Sequence, residues 1–377
     1  MNIPFHKPLY DRLDEEALLG ALRSGAIVGD GDRTRAASEQ LAAMLGTPHV
    51  LLTPSCTHAL ELAMMVLALR PGEGVIVPSF TFVSTTNCIL RAGGRIVFAD
   101  ILPDTLTIDP AEIEARITPS TRAILPVVYA GVAPPMDRIL NIARRHGLIV
   151  IEDAAQGVGA SYRGRALGTL GDIGCLSFHE TKNYSTGEGG AFVSSDDEFF
   201  RRAEIIREKG TNRKQFLQGL VDKYTWVDVG SSFLPPDTMG AILLSQLAKR
   251  ATIQSARRAI YERYNNEFAP LAARGLLTLP TVPPEAATNH HIYHLLLNDA
   301  PTRNRAIEFF RSRGIATTFH YLPLHLSPVG RSLGYHEGDF PVTESVSGRL
   351  LRLPIYPSLT HEEQSRVIAS LMEFYGS

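Results

Sequence analysis

Short apolar runs alternate with helical stretches through the first half of the chain, and this alternation restricts the fold more than any other feature. The runs are continuous in polarity, which is typical of strands buried on both faces. They occupy residues 50–52, 75–77, 95–98, 123–128, 148–151, 173–176 and 191–193. Helices are predicted at residues 57–69 and 136–146. This order of strand, helix and strand predicts an α/β fold with a largely parallel sheet covered by helices.

The second half of the chain reads differently. A polar stretch at residues 209–223 is predicted to be an exposed loop, and the Pro-rich residues 275–284 to be a link. The remaining predicted elements are helices at 196–208, 238–273 with a break near Ala251, 303–313 and 362–374, a strand at 292–297 and a segment at 317–321. A chain of 377 residues exceeds one ordinary core. We therefore predict a large domain at residues 1–250 and a small C-terminal α+β domain at residues 251–377.

Charge and cysteine content argue against several classes of protein. The chain has 37 Lys and Arg against 39 Asp and Glu without a polybasic run, which gives no reason to expect nucleic acid or a membrane surface as partner. Residues 1–8 lack the apolar core of a signal peptide, and the most apolar window, 59–69, is far shorter than the ~20 residues that span a bilayer. Cys56, Cys88 and Cys175 stand singly, without zinc spacing. We expect a soluble cytoplasmic protein that binds no metal.

Ser55, Cys56 and Thr57 come directly after a predicted strand and directly before a predicted helix. The free N–H groups and the positive dipole end of such a helix form an anion site, and the hydroxyl groups add donors. Ordinary capping of the helix by Ser or Thr is the alternative interpretation.

Asp153 and Lys182 each follow a predicted strand. A carboxylate at the carboxyl end of a buried strand can hold a pyridinium nitrogen protonated, although a helix cap or a turn is the alternative. Lys182 could form a Schiff base with an aldehyde cofactor if burial keeps its amine deprotonated. Its alternative is a solvated surface lysine. His179, in the same segment, could be a structural histidine.

A fourth segment is the Gly-Glu-Gly-Gly stretch at residues 187–190, where glycines allow turns or close approach of the backbone. It is considered together with the segments around Cys56, Asp153 and Lys182. In a doubly wound sheet, loops that follow the strands meet at one edge. An anion cradle, an acid and a lysine at that edge are the parts that pyridoxal phosphate requires. The sequence therefore predicts a pyridoxal-phosphate site.

The same motifs resemble the DegT/DnrJ/StrS family of sugar aminotransferases. The resemblance rests on residues 55–57, 78–82, 152–156, 177–182, 187–190 and 321–325 and covers nearly the whole chain. It implies a pyridoxal-phosphate-dependent transferase of fold type I, working as a homodimer with active sites at the subunit interface. Pyridoxamine phosphate would be the second form of the cofactor, in a ping-pong reaction.

Roles for individual residues are carried over from the family motifs. Lys182 would hold the cofactor and shuttle the proton, and Asp153 would pair with the pyridine nitrogen. The other cofactor contacts implied are Ser55, Cys56, Thr57 and Ser177 at the phosphate, Phe82 on the ring face and Gln156 near the phenolic oxygen. Many members place an Asn of the neighbouring subunit on the phosphate, where this chain has Ser232. That substitution leaves the contact across the interface open.

Within the family, residues 50–57, 178–184, 207–213 and 222–226 are most similar to members that aminate dTDP-4-keto-6-deoxy-D-glucose. The resemblance implies dTDP-4-amino-4,6-dideoxy-D-galactose as product, L-glutamate as amino donor, and a role in O-antigen or enterobacterial common antigen-like polysaccharide synthesis. Lys209, Arg213 and Lys214 are candidates for the diphosphate, with a solvated loop as the alternative. The histidines considered as further sugar contacts are His179, His320 and His325.

The sequence also allows other interpretations of the function. A family member could aminate another position, with another stereochemistry or on another nucleotide sugar. A dehydrase of the same fold would carry His in place of Lys182, and a non-catalytic regulatory member would not need the set Asp153, Gln156 and Lys182. A Rossmann dehydrogenase is mimicked by Gly157–Gly159 and Gly29–Gly31, but neither pair has the third glycine in register.

Overall fold

The computed structural model describes residues 2–376. Its helices are α1 Arg12–Arg23, α2 Asp32–Leu45, α3 Cys56–Leu67, α4 Val83–Arg91, α5 Pro110–Arg116, α6 Met136–His146, α7 Asp197–Arg207, α8 Arg213–Leu217, α9 Asp237–Ala248, α10 Arg250–Ala273, α11 Ala300–Ser312, α12 Pro328–Ser332, α13 Pro341–Arg349 and α14 His361–Gly376, with a 3₁₀ turn at Leu324–Leu326. Its strands are β1 His49–Thr53, β2 Gly74–Pro78, β3 Arg95–Ala99, β4 Thr121–Ile124, β5 Ile149–Asp153, β6 Ser161–Tyr162, β7 Arg165–Ala166, β8 Ile173–Ser177, β9 Gly190–Ser194, β10 Leu277–Thr278, β11 Ala286–Ala287, β12 Tyr293–Leu297 and β13 Leu350–Leu353.

A seven-stranded sheet forms the centre of the molecule, with strand order β1-β9-β8-β5-β4-β2-β3. Strands β2, β3, β4, β5 and β8 run parallel, while β9 runs antiparallel to both of its neighbours. The prediction of an α/β fold with a largely parallel sheet is confirmed. Since the parallel strands share one direction, the loops after them emerge at one edge of the sheet.

Local sequence explains where several elements end. Helix α6 ends at His146 as predicted, because Gly147 follows in the left-handed conformation with φ 63° and basic residues 144–146 face the negative end of the helix dipole. The strand predicted at residues 123–128 ends at Ile124, since Pro126 has no N–H for the ladder. The loop predicted at 209–223 contains the short helix α8. The break predicted near Ala251 falls at Lys249, between α9 and α10.

Two large apolar clusters pack on the central sheet. One includes Leu41, Ile76 and Leu243, and the other includes Leu62, Val77 and Phe192. Because successive residues of β2 point to opposite faces, Ile76 and Val77 join different clusters. The sheet is therefore covered by helices on both faces, which leaves its edge as the place for a ligand.

A further core lies around the sheet β10-β12-β13 and includes side chains of α10, α11 and α14. Ile3 belongs to this core and forms a bridge with Ile315, so the N-terminal residues pack on the C-terminal part of the chain. The domain boundary at residue 250 stays a prediction. None of the helices within residues 2–376 is long and apolar enough to cross a bilayer.

Candidate active site

A cavity of about 340 Å³ opens at the carboxyl edge of the central sheet. It collects residues that follow β1, β2, β5 and β8, together with residues of the C-terminal part of the chain. The predicted site residues that line it are Ser55, Cys56, Thr57, Phe82, Asp153, Gln156, Ser177, His179, Lys182 and His320. The topology therefore brings together side chains that lie far apart in the sequence.

The start of α3 forms one end of the cavity. Ser55 caps the helix by accepting the His58 N–H at 3.2 Å, and the Thr57 hydroxyl contacts Ser84 Oγ at 2.9 Å. The N–H groups of Cys56 and Thr57 have no acceptor among residues 2–376. Burial raises the pKa of the Cys56 thiol, so the thiol is neutral and does not repel an anion. This arrangement suits a phosphate group.

Gly190 explains why a glycine-rich stretch lies beside this helix start. It is the first residue of β9, and a Cβ at this position would lie 2.4 Å from the Cys56 nitrogen and 2.5 Å from the Ser55 oxygen. Both atoms are backbone atoms, so a side chain could be accommodated only by moving the helix start. The glycine thus keeps the cradle in place.

Asp153 ends β5 with its carboxylate buried at the floor of the cavity. Oδ2 accepts the Thr85 hydroxyl at 2.7 Å and Oδ1 accepts the Ala155 N–H at 3.2 Å. Burial raises the pKa of Asp153, whereas these two hydrogen bonds and the charge of Lys182 oppose that rise. A cationic ring nitrogen placed here would gain a preoriented buried carboxylate.

Lys182 extends from the loop after β8. The loop is closed by the Glu180 N–H, which donates to Gly187 O at 2.8 Å, and the Lys182 N–H donates to His179 O at 2.9 Å. Within residues 2–376 the Lys182 amine has no hydrogen-bond or ion-pair partner. Burial lowers the pKa of the amine, although Cys56 and Asp153 oppose this. A larger fraction of the amine is therefore neutral and nucleophilic than in an ordinary lysine.

Gln156 and Phe82 also line the cavity. Gln156 Oε1 accepts the Ala130 N–H at 2.7 Å and Nε2 donates to Tyr321 OH at 3.0 Å. The amide therefore has a fixed orientation. Phe82 is 57% exposed, so its ring is available to cover a flat ligand.

Other cavity residues escaped the sequence analysis. Arg352 comes from β13, a strand that was not predicted, and Tyr321 was noted only as part of a motif. His6 and His291 also line the cavity, and burial lowers the pKa of His6 to about 4 and that of His291 well below its ordinary value. Both rings are therefore neutral at neutral pH. The one sequence signal for this wall of the cavity is Arg352, a charged residue among the leucines of residues 350–353.

Besides His325, four predicted residues lie outside the cavity of their own chain, and one of them, Lys214, pairs with Glu204. Ser232 is exposed and bridges to Glu208, and Lys209 forms an ion pair with Glu208 at 3.1 Å. Arg213 begins α8 and is exposed. These residues can reach a site only in another subunit or after a rearrangement.

His325 requires a correction. It is 0% exposed, its Nδ1 contacts Ser79 Oγ at 2.7 Å and its Nε2 contacts Glu344 Oε1 at 3.0 Å. Both ring nitrogens are thus used inside the protein, so His325 fixes the 3₁₀ turn rather than facing a substrate.

Comparisons with known proteins agree with this geometry. The model of the DegT/DnrJ/EryC1/StrS aminotransferase family matches residues 9–372. A pleiotropic regulatory protein of Geobacillus stearothermophilus is 35% identical over 382 residues, covering 100% of this chain and 99% of the relative. DesV of S. venezuelae, solved in complex with a ketimine intermediate, is 32% identical with a TM-score of 0.91, covering 100% and 99% of the two chains.

A further similar structure concerns the cofactor. Spr1654 of Streptococcus pneumoniae, named a putative sugar aminotransferase, was solved in a PLP form. It is 26% identical to this chain, with a TM-score of 0.92, and the match covers 100% of this chain and 99% of the other. Its PMP form has a TM-score of 0.93. Together with the family match, the phosphate cradle, the buried acid and the free lysine identify the cofactor as pyridoxal phosphate. The chain belongs to the DegT/DnrJ/EryC1/StrS aminotransferase family and is a pyridoxal-phosphate-dependent sugar aminotransferase.

Proposed function

We propose that this enzyme transfers the amino group of L-glutamate to C4 of dTDP-4-keto-6-deoxy-D-glucose and forms dTDP-4-amino-4,6-dideoxy-D-galactose. The observation that carries the transamination is the unpartnered amine of Lys182 in one cavity with the buried carboxylate of Asp153. The choice of sugar is supported by residues 50–57, 178–184, 207–213 and 222–226, which resemble members of the family with this substrate.

Lys182 and Asp153 divide the chemistry between them. Bound pyridoxal phosphate supplies an aldehyde that accepts the amine and a ring that delocalises the electrons left on the reacting carbon. With the cofactor bound, Lys182 Nζ would accept the proton from the donor's α-carbon and release it to the carbon on the cofactor's side of the new carbon–nitrogen bond, a general acid–base role for which its lowered pKa is suited. Asp153 holds the proton on the ring nitrogen, and Thr85 keeps the carboxylate oriented.

The remaining cofactor contacts follow from their positions around the cavity. We assign the phosphate to the N–H groups of Cys56 and Thr57 with the hydroxyls of Ser55, Thr57 and Ser177. Phe82 would cover the ring, and Gln156 would donate toward the phenolic oxygen. A homodimer would allow Ser232 to approach the phosphate of the neighbouring site, since this residue is exposed in its own chain.

We assign sugar recognition to a histidine at the cavity and to the exposed loop. His179 lies at the cavity mouth, and its Nδ1 contacts Thr181 Oγ1 at 2.9 Å. Lys209 and Arg213 are proposed to reach the diphosphate of the neighbouring subunit's substrate. A cytoplasmic location is supported by the three free cysteines, which are typical of a reducing compartment.

Product analysis tests the proposed reaction directly. The holoenzyme is incubated with dTDP-4-keto-6-deoxy-D-glucose and L-glutamate, and the purified product is examined by NMR. An axial amine at C4 gives a small coupling between H3 and H4, which is the expected result. A large coupling would mean the glucose epimer, and nitrogen at C3 or no product would contradict the substrate assignment.

A regulatory role without catalysis is the second candidate, because one relative carries the name of a pleiotropic regulatory protein. The catalytic set in this chain argues against it, since a ligand-binding role does not need a free lysine beside a buried acid. Adding L-glutamate to the holoenzyme separates the two. Conversion of the cofactor absorbance supports the enzyme, whereas an unchanged spectrum with several amino donors supports a regulator.

A further inference from the structure

Arg352 stands out among the residues of the cavity. It lies on β13, its half-buried side chain lines the cavity, and no aspartate or glutamate of residues 2–376 lies within ion-pair distance of its guanidinium. Burial lowers the pKa of Arg352, yet a guanidinium remains charged at neutral pH. The cavity therefore contains a cation that forms no ion pair with a carboxylate of the described residues.

The contacts of Arg352 orient the guanidinium without neutralising it. One Nη1–H donates to Nε2 of His320, the Phe5 ring centroid lies 4.6 Å from Cζ, and Nε has no hydrogen-bond partner. Burial, together with the charge of Arg352, lowers the pKa of His320 to about 2. His320 is then neutral, and because Nε2 accepts, its proton resides on Nδ1, which faces Tyr129 OH at 3.4 Å.

A second buried arginine shows what a structural role looks like. Arg257 donates from Nε to His290 O at 3.0 Å and from Nη2 to His291 O, and it does not line the cavity. Its hydrogen bonds hold two backbone carbonyls in place. Arg257 also has one unpartnered nitrogen, Nη1, but two carbonyls hold its guanidinium away from the cavity. The guanidinium of Arg352 reaches no carbonyl within residues 2–376 and lines the cavity, which points to a ligand.

The reacting molecules offer few anions that fit this position. The keto sugar is uncharged near its reacting carbon, and the start of α3 already provides for the cofactor's phosphate. An amino acid donor, by contrast, carries its α-carboxylate on the carbon that loses the proton to Lys182. Lys182 and Arg352 line the same cavity, so both groups face the same bound donor.

We propose that Arg352 binds the α-carboxylate of the amino donor and that His320 is a positioning residue for its guanidinium. A guanidinium can donate two parallel hydrogen bonds to a carboxylate, which also fixes the orientation of the donor's α-carbon. This inference rests on the proposed transamination but not on the identity of the sugar. In this proposal His320, predicted from the sequence as a sugar contact, orients the guanidinium of Arg352 instead.

The test compares Arg352→Gln with Arg349→Gln, three residues upstream, whose side chain is also half-buried but donates to Leu297 O outside the cavity. In single turnovers of the holoenzyme, Arg352→Gln should slow cofactor conversion by L-glutamate about 100-fold, the loss expected for charge-assisted hydrogen bonds. The preference for L-glutamate over 4-aminobutanoate, which lacks the α-carboxylate, should shrink similarly. Arg352→Lys should recover part of the loss, and Arg349→Gln should resemble the wild type.

A binding measurement keeps the inference testable without turnover. Glutarate has carboxylates but no amine, so its dissociation constant can be measured calorimetrically on the holoenzyme, and Arg352→Gln should raise it about 100-fold. If Arg352→Gln leaves both the glutarate dissociation constant and the glutamate rate unchanged, the proposal is overturned. It is also overturned if the variant binds pyridoxal phosphate more weakly while its affinity for glutarate is unchanged. Failure of the wild type to aminate the keto sugar would refute the proposed substrate while these donor measurements still decide the role of Arg352.

Discussion

The two walls of the cavity are built in different ways. On the wall from the central sheet, Asp153 accepts a hydrogen bond from Thr85 of α4, and the phosphate cradle is the start of α3. Gln156 accepts the Ala130 N–H of the same sheet edge and donates to Tyr321 OH on the opposite wall. On the opposite wall, Arg352 and His320 come from the C-terminal part of the chain and depend on each other. The cofactor contacts thus depend mainly on the sheet edge and the proposed donor contact on the C-terminal part of the chain, although the Gln156–Tyr321 and Tyr129–His320 contacts join the two walls.

Removing the amine from the first wall should have the largest effect. Lys182→Ala deletes the group that we expect to carry the proton, a step worth about 10²–10⁴-fold, and also the group that holds the cofactor. Turnover with L-glutamate should become undetectable, whereas the cradle and Asp153 can still retain pyridoxal phosphate. Cofactor absorbance and product formation measure the two effects. A variant with the normal rate would refute the assignment.

Neutralising the acid should have the next largest effect. Asp153→Asn keeps the shape of the side chain but removes the charge that stabilises a protonated ring nitrogen, so kcat should fall about 10²–10³-fold. Thermal stability should change little, because burial already disfavours the charge and raises the pKa of this carboxyl. Both donor and sugar half-reactions should slow together. A loss confined to one of them would place Asp153 in substrate binding instead.

A substitution at Gly190 tests whether the phosphate cradle requires the close approach of β9 to the start of α3. In Gly190→Ala the new methyl group would collide with the backbone at Cys56, which should cost roughly 1–3 kcal/mol and weaken the binding of pyridoxal phosphate. Gly187→Ala is the control from the same motif, because its Cβ meets no atom within 4 Å although its φ of 84° adds strain. Titration of the apoprotein with cofactor compares them. Equal cofactor affinities in both variants would contradict the role of Gly190.

The sequence predicts the wall from the central sheet better than the wall from the C-terminal part of the chain. The sheet wall is predictable because each of its residues belongs to a local strand–loop–helix pattern, and the strands and helices around it occur close to the expected positions. The opposite wall is not, since β13 is a short segment without a strong period and Arg352 meets His320 only through tertiary packing. His325 shows the same limit, because its position beside a proline turn reveals nothing of its burial.

Substitutions in the exposed loop at residues 209–223 should have the smallest effect. They test whether residues outside both walls of the cavity contribute to sugar binding. The double variant Lys209→Gln, Arg213→Gln should raise the KM for the keto sugar about 2- to 5-fold, because exposed charges contribute little individually, and should leave the KM for L-glutamate unchanged. Lys214→Gln is the comparison, since this lysine of the same loop is tied to Glu204 of α7, whereas Lys209 pairs, within residues 2–376, only with its sequence neighbour Glu208. An equal rise in Lys214→Gln would indicate a diffuse field of the loop rather than contacts, and an unchanged KM in the double variant would mean that the loop is only solvated. A selective rise would extend substrate binding to a neighbouring subunit, because neither residue lines the cavity of its own chain.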